Sequence, residues 1–145
     1  MVKSWKAHSI LLNSCRDIAY IPFSTLLYDY PVYDNILMAG DGAVDQALSL
    51  SGVDVNEQPL DKLATTLSGG QAQRVNIARG LIHKTPLLLA DEPVSGVSKA
   101  QGETIIKNII DVSETTIIVT HNPDHLKFFS RIVLLEDGKI AASVH

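Results

Sequence analysis

The sequence predicts an α/β fold in which parallel strands alternate with helices. Apolar residues follow a helical repeat over residues 71–82 and then form a short continuous run over residues 87–90, as in a strand that is covered on both faces. The same alternation returns further on, with isoleucines at helical spacing over residues 105–110 and a buried strand over residues 115–120. Strands that alternate with helices are typical of parallel sheets.

The first half of the chain contains signals for one strand and two short helices. Residues 17–22 (DIAYIP) are rich in strand-forming side chains and end in a proline. Residues 31–40 begin with proline and end with glycine, which predicts a short helix. Residues 43–50 carry a second helical stripe, and residues 53–66 are polar and predict turns.

After the strand at residues 115–120, the chain predicts a short helix and a β-hairpin. Residues 123–129 open with proline and aspartate, as helix starts do. Residues 131–135 form another apolar strand, and Asp137-Gly138 is a hairpin turn that leads into residues 139–144. No linker separates two independently folding units, so the 145 residues are expected to form a single domain.

Composition excludes several classes of function. The net charge of -4, with scattered Lys and Arg, gives no basic surface for nucleic acid. The single cysteine, Cys15, forms no internal disulfide, and no secretory leader is recognisable. No apolar run reaches the roughly 18 to 20 residues that span a bilayer. We therefore expect a cytoplasmic protein without direct membrane insertion.

Two short motifs are candidates for phosphate chemistry. Ser68, Gly69 and Gly70 stand at the start of the predicted helix over residues 71–82, with Gln71 in its first turn. Glycines let the backbone approach a ligand closely, and the free N–H groups of a helix N-terminus bind phosphate. For the tripeptide alone, an ordinary helix cap with Ser68 as the capping residue and a glycine turn is the favoured alternative.

Acidic residues follow the strand at residues 87–90, at the sheet edge where α/β proteins bind ligands. Asp91 suits Mg²⁺, and Glu92 suits the orientation or deprotonation of an attacking water. His121 likewise follows a buried strand and either contacts a phosphoryl group or caps the next helix. Two solvated acids in a loop remain the alternative for Asp91 and Glu92.

Together these motifs resemble those of one family, the ATP-binding cassette (ABC) ATPases. LSGGQAQRVNIARGL is similar to the family's signature motif, LLLADEP to its Walker B strand with the catalytic glutamate, and IIVTHN to its switch histidine. AYIPFSTLLYDYPVYDNI is similar to the Q-loop region, and RIVLLEDGKI to the closing hairpin. The resemblance implies a P-loop NTPase-like sheet that binds ATP with Mg²⁺ and, as a dimer, couples hydrolysis to transport.

The resemblance also assigns roles to single residues. Four of them would contact the γ-phosphate of ATP held by the opposing cassette: Ser68, Gly69, Gly70 and Gln71. Asp91 would hold Mg²⁺ through water, Glu92 would polarise the attacking water, and His121 would sense the γ-phosphate. The family layout places the core in residues 1–23 and 81–145 and a helical subdomain with the signature motif in residues 24–80.

One essential motif of the family, the phosphate-binding P-loop G-x-x-x-x-G-K-S/T, is absent from this sequence. By family layout the sequence begins downstream of that loop, so we expect an incomplete core that lacks a middle strand and exposes strand edges unless residues 1–22 or a partner fill the position. Phe23 stands where relatives carry the Q-loop glutamine, and Ser98 where they carry an acid. The chain is therefore not expected to hydrolyse ATP alone.

These departures lead to two hypotheses about partners and role. In the first, the chain works with a P-loop-bearing second subunit, or with the missing P-loop half, and is held at the inner face of the membrane by a transmembrane transporter domain. In the second, it is a degenerate, non-catalytic interaction or regulatory module. A DNA-associated ATPase is disfavoured, since no coiled-coil heptads appear.

Overall fold

The computed structural model describes residues 17–144 and, by their backbone alone, residues 2–3. The described elements comprise six strands and four α-helices: β1 Val2–Lys3, β2 Ile18–Ile21, α1 Val32–Leu37, α2 Val44–Ser51, α3 Gly69–Leu81, β3 Leu87–Asp91, α4 Lys99–Val112, β4 Thr115–Thr120, β5 Ile132–Glu136 and β6 Lys139–Val144. Two 3₁₀-helices, Ala64–Thr66 and Pro123–Phe128, complete the set. The α/β fold class is confirmed, and the short helix predicted at residues 123–129 has 3₁₀ geometry.

All six strands form one sheet in the order β2-β3-β4-β1-β5-β6. The first three are parallel, with Ile21 opposite Ala90 and Asp91 opposite Val119. β5 and β6 form the expected antiparallel hairpin. Its turn residues Asp137 and Gly138 have φ values of 47° and 75°, the left-handed pair that two-residue hairpins prefer.

The middle of the sheet, where we expected a strand to be missing, is occupied by β1 over only two residues. Val2 pairs antiparallel with Thr120 of β4 and with Leu134 of β5. Because β1 runs opposite to both neighbours, β4 and β5 run in the same direction. The amino-terminal segment therefore partly fills the position between them.

Helix α3 contributes to two hydrophobic clusters within residues 17–144. Ile77 and Leu81 face the sheet, in a cluster with side chains of β2, β3, β4 and α4. Val75 and Ala78 face the other way, into a cluster with α1 and α2. Because apolar residues cover two faces of this helix, it joins the sheet to the small helices and sets where its own N-terminus lies.

Helix α3 approaches β2 very closely at Gly80. A Cβ added to Gly80 would lie 2.4 Å from Cγ1 of Ile21. The helix therefore depends on this glycine for its distance from the sheet. Within residues 17–144, no helix combines the length and apolarity needed to traverse a bilayer.

Candidate functional site

The N-terminus of α3 begins with a complete capping box. Ser68 has extended backbone angles, its hydroxyl accepts the Gln71 N–H at 3.4 Å, and its own N–H donates to Oε1 of Gln71 at 3.1 Å. Both bonds satisfy donors that a helix start otherwise leaves free. The cap engages the acceptor end of the Gln71 side chain, while its NH₂ group makes no hydrogen bond within residues 17–144.

The backbone of Gly69 and Gly70 is the part of this helix start that fits a phosphate. Their N–H groups have no hydrogen-bond partner within residues 17–144. A Cβ on Gly69 would meet nothing within 4 Å, so the space beside it is open. Two unpaired amides and the positive end of the helix dipole favour an anion at this place. Gly70 lies against the loop after β3, where its added Cβ would be 3.2 Å from the Gly96 carbonyl oxygen.

The two predicted acids lie at the carboxyl end of β3. Asp91 is the last residue of the strand and is partly buried. Glu92 follows with φ 46°, a left-handed conformation that costs a residue with a side chain about 1–2 kcal/mol. Its N–H donates to the Val119 carbonyl at 2.9 Å, so pairing with β4 holds the strained turn in place.

Glu92 and His121 are in direct contact. Oε1 of Glu92 accepts the backbone N–H of His121 at 2.6 Å and lies 2.7 Å from its Nδ1. The side chain of Glu92 is 16% exposed, whereas that of His121 is 83% exposed. Within residues 17–144, neither the second carboxylate oxygen of Glu92 nor Nε2 of His121 makes a hydrogen bond, which leaves both open to a ligand at the sheet edge.

His125, which sequence reasoning missed, supports the loop that carries His121. Its Nε2 is 3.3 Å from the Asn122 amide nitrogen, and its Nδ1 is 3.5 Å from the Thr120 hydroxyl. Asn122 also caps the 3₁₀-helix, since its Oδ1 accepts the Asp124 N–H at 3.0 Å. Burial lowers the pKa of the His125 imidazole, because desolvation disfavours its charged form. Nothing in the sequence distinguished this histidine from a surface residue.

Gln73 is a second residue that sequence reasoning missed. Its amide nitrogen donates to the Pro93 carbonyl at 2.8 Å, and its Oε1 accepts the hydroxyl proton of Thr25. Gln73 is only 4% exposed. The available signal was its position, since Gly70, Gln73 and Ile77 lie on one face of the helix at spacings of three and four residues.

The predicted residues form two separate groups. Glu92 and His121 meet beside Asp91, whereas within residues 17–144 no hydrogen bond joins them to the capping residues of α3. No cluster of three metal-ligating side chains occurs in this part of the chain. Asp91 alone therefore fits Mg²⁺ only as one ligand among nucleotide and water oxygens, which is how Mg²⁺ is usually held in phosphate sites.

A parallel sheet with acids and a histidine at its carboxyl ends, and a helix N-terminus with two glycines and unpaired amides, are features of α/β proteins that bind phosphate-containing ligands. Residues 8–95 match the sequence profile of the family described as ABC transporter. The chain belongs to this family.

The chain is similar to proteins whose names describe ATP-binding parts of transporters. It is 31% identical over 138 residues to the glutathione/L-cysteine transport system ATP-binding/permease protein CydC of Escherichia coli, covering 86% of this chain and 24% of that protein. It is 32% identical over 139 residues to the lipoprotein-releasing system ATP-binding protein LolD 2 of Chlorobaculum tepidum, covering 88% of this chain and 56% of that protein.

Two solved structures share the fold. A bacterial Atm1-family ABC exporter with ATP bound superposes with a TM-score of 0.81 at 26% identity, over 88% of this chain and 25% of that one. The dimeric cassette MJ0796 of Methanocaldococcus jannaschii gives 0.76 at 26% identity, over 89% and 63%. The chain thus spans only part of the length of the proteins it matches.

Proposed function

We propose that this chain supplies the signature face of an ABC-type ATPase and acts as a dimer with a P-loop-bearing cassette, coupling ATP binding and hydrolysis to transport. The observation that carries the proposal is the start of α3, where Gly69 and Gly70 present unpaired amides to open space beside the Ser68 hydroxyl. A γ-phosphate held by the partner is the anion that this geometry suits.

At that helix start each residue has a separate task. The amides of Gly69 and Gly70 donate to phosphate oxygens, and the Ser68 hydroxyl proton is free to donate because its oxygen is the acceptor in the cap. The NH₂ group of Gln71 provides a further donor. The capping box fixes these donors before nucleotide arrives, so little ordering is needed on binding.

At the carboxyl end of β3, the residues suit water activation. Glu92 is oriented by two bonds to His121 through one oxygen, which leaves the other oxygen to accept a proton from water. Nδ1 of His121 is the donor toward Glu92, so Nε2, which faces solvent, donates to a phosphate oxygen when the imidazole is in its doubly protonated form. Asp91 would hold Mg²⁺ through water, and such an ion would supply neutralisation of the phosphate charge.

The P-loop that this sequence lacks comes from a second cassette or from a segment outside these 145 residues. The sheet supports this proposal, because β4 and β5 run in the same direction on either side of the two-residue β1. A parallel strand between them would end beside Thr120, the residue before His121. A P-loop there would deliver its nucleotide to Glu92 and His121.

A transmembrane domain is the second proposed partner, and it places the protein at the inner face of the membrane. Residues 20–33, from within β2 to the first turn of α1, include six exposed apolar or aromatic residues: Tyr20, Phe23, Leu26, Tyr28, Tyr30 and Tyr33. We name this set the aromatic surface. Exposed apolar surface of this kind marks protein interfaces, and the name of CydC includes a permease part.

The test of the ATPase role is a titration of the chain into each P-loop-bearing cassette encoded by the same genome, with Mg·ATP turnover as the readout. We expect stimulation by the wild-type chain. The variant Gly69→Asp should lower that stimulation by about 10²-fold, because a carboxylate at this place repels phosphate. Gly69→Asn, which adds a side chain of nearly the same size without the charge, is the matched control. Failure of every cassette to bind or respond would overturn the proposal.

A non-catalytic docking module remains the second candidate function, and two positions favour it. Phe23, which is 57% exposed, stands where a glutamine is expected. Ser98 replaces an expected acid, and its hydroxyl is bonded to Gln101 at 3.1 Å. Glu92→Gln separates the candidates: it leaves complex formation unchanged in both, whereas a loss of partner turnover counts against docking alone.

A further inference from the structure

The buried side chain of Gln73 joins three segments of the protein. It belongs to α3, its amide nitrogen donates to the carbonyl of Pro93, and its amide oxygen accepts from Thr25. Pro93 directly follows Glu92, whereas Thr25 lies in the loop that carries the aromatic surface. One side chain therefore connects the helix with free amides, the loop after the catalytic glutamate and the proposed docking loop.

The two hydrogen bonds fix the orientation of this amide. The donor end must face the Pro93 carbonyl and the acceptor end must face the Thr25 hydroxyl, so a flipped amide would lose the Pro93 bond. Gln73 is 4% exposed and its bond to Pro93 is buried, so water cannot readily replace the Pro93 carbonyl as its partner. The loop after β3 needs such a restraint, because Glu92 adopts a left-handed conformation immediately before Pro93.

We propose that Gln73 is a positioning residue, which holds the Glu92 loop against α3 through Pro93 and is itself oriented by Thr25. The restraint acts on the 2.6 Å bond from the His121 N–H to Glu92. This geometric claim concerns the chain alone, and its consequence for ATP turnover rests on the function proposed above.

Two substitutions test the two hydrogen bonds of the Gln73 amide separately. Gln73→Glu keeps an oxygen for Thr25 but places a carboxylate oxygen against the Pro93 carbonyl, so the hydrogen bond to Pro93 is lost. Thr25→Val removes the hydroxyl at nearly constant shape, so the amide loses its orientation while its donor remains. Thr25→Ser retains the hydroxyl and is the conservative control.

The measurement is the backbone amide spectrum and hydrogen exchange of the complete, ¹⁵N-labelled chain. In Gln73→Glu the His121 resonance should shift and its amide should exchange about tenfold faster, since a local restraint has been lost. Thr25→Val should change the same amide in the same direction by a smaller factor, and Thr25→Ser should leave it unchanged. Residues of β5 serve as the internal reference.

An unchanged His121 amide in Gln73→Glu, with faster exchange only within α3, would overturn the proposal in favour of a purely structural amide. If Gln73→Glu fails to fold, the two Thr25 variants test the proposal instead. Equal His121 spectra in Thr25→Val and Thr25→Ser would also overturn it.

With a stimulated partner cassette, Gln73→Glu should lower kcat and leave KM for ATP unchanged. A shifted His121 amide without stimulation of any cassette supports the positioning role and rejects the ATPase role.

Discussion

One carboxylate oxygen of Glu92 contacts His121 twice. It accepts the backbone N–H of His121 at 2.6 Å, and it lies 2.7 Å from Nδ1 of the imidazole. The two residues follow adjacent parallel strands, β3 and β4, which are paired up to Asp91 and Val119. The sheet register therefore determines this contact, and it joins two sites that lie 29 positions apart in the sequence.

Replacement of Glu92 by glutamine tests the charge in this contact. The neutral amide oxygen is a weaker acceptor than a carboxylate, by roughly a factor of two in hydrogen-bond strength. We expect an upfield shift of the His121 amide proton and faster exchange, read by NMR. Glu136→Gln, an exposed acid at the end of β5, is the control and should leave His121 unchanged. An identical His121 spectrum in both variants would contradict the contact.

Asn35 is predicted to be essential for stability. Its buried NH₂ group donates to the carbonyls of Tyr28, Tyr30 and Pro31 at 3.0 to 3.1 Å. In Asn35→Asp a carboxylate oxygen would face these three carbonyl oxygens, although Arg79 remains near the other oxygen at 3.0 Å. We expect a loss of about 2–3 kcal/mol in the free energy of unfolding.

Urea unfolding measures the effect of Asn35→Asp. The control is Asp34→Asn, an exposed neighbour on the same helix, for which surface substitutions predict a change within about 0.5 kcal/mol. Equal unfolding midpoints for the two variants would show that the amide of Asn35 does not hold the segment before α1.

Gly80 is predicted to tolerate no side chain. A methyl group there would lie 2.4 Å from Cγ1 of Ile21 and 3.4 Å from the Tyr20 carbonyl oxygen, so helix and sheet must separate. We expect Gly80→Ala to cost about 1–3 kcal/mol of unfolding free energy despite the better helix propensity of alanine. Gly69→Ala, whose methyl enters open space, should not destabilise the protein. A Gly80→Ala variant as stable as Gly69→Ala would refute the close approach.

The burial of His125 predicts that stability depends on pH. Desolvation lowers its pKa below the ordinary 6.5, and Lys127 lowers it further. The negative charges of Glu92, Asp124 and Glu103 raise the pKa but do not offset the desolvation. At pH values between the lowered pKa of the folded state and the ordinary pKa of the unfolded state, the unfolded chain binds more protons than the folded chain. The free energy of unfolding therefore falls as the pH falls through this range. Protonation of Nε2 would also set a proton against the Asn122 amide donor.

Urea unfolding midpoints between about pH 7.5 and 5.5 measure the dependence of stability on pH in the range where histidine titrates. His125→Gln should flatten it. The lowered carboxyl pKa values of Glu103 and Asp124 act below their ordinary values of 4.5 and 3.8 and so outside this range. A slope that is unchanged in His125→Gln would place the titration elsewhere.

Local sequence patterns were sufficient to predict the helices and strands and the positions of the motifs. The capping residue Ser68, the buried strand before Asp91 and the Asp137-Gly138 turn are signals within a few neighbouring residues, and the structure contains all three features. Their physical basis is local as well, because caps, turns and strand patterns depend on backbone angles and hydrogen bonds between near neighbours.

The sequence by itself determined that this is an α/β protein with phosphate-type motifs at a helix start and at two strand ends. Only the tertiary structure decided that Glu92 contacts His121, that Gln73 joins Thr25 to Pro93, and that β1 lies between β4 and β5. These contacts connect residues far apart in the chain, and they depend on strand register and on how α3 packs against the sheet. Neither property leaves a periodic pattern in the sequence.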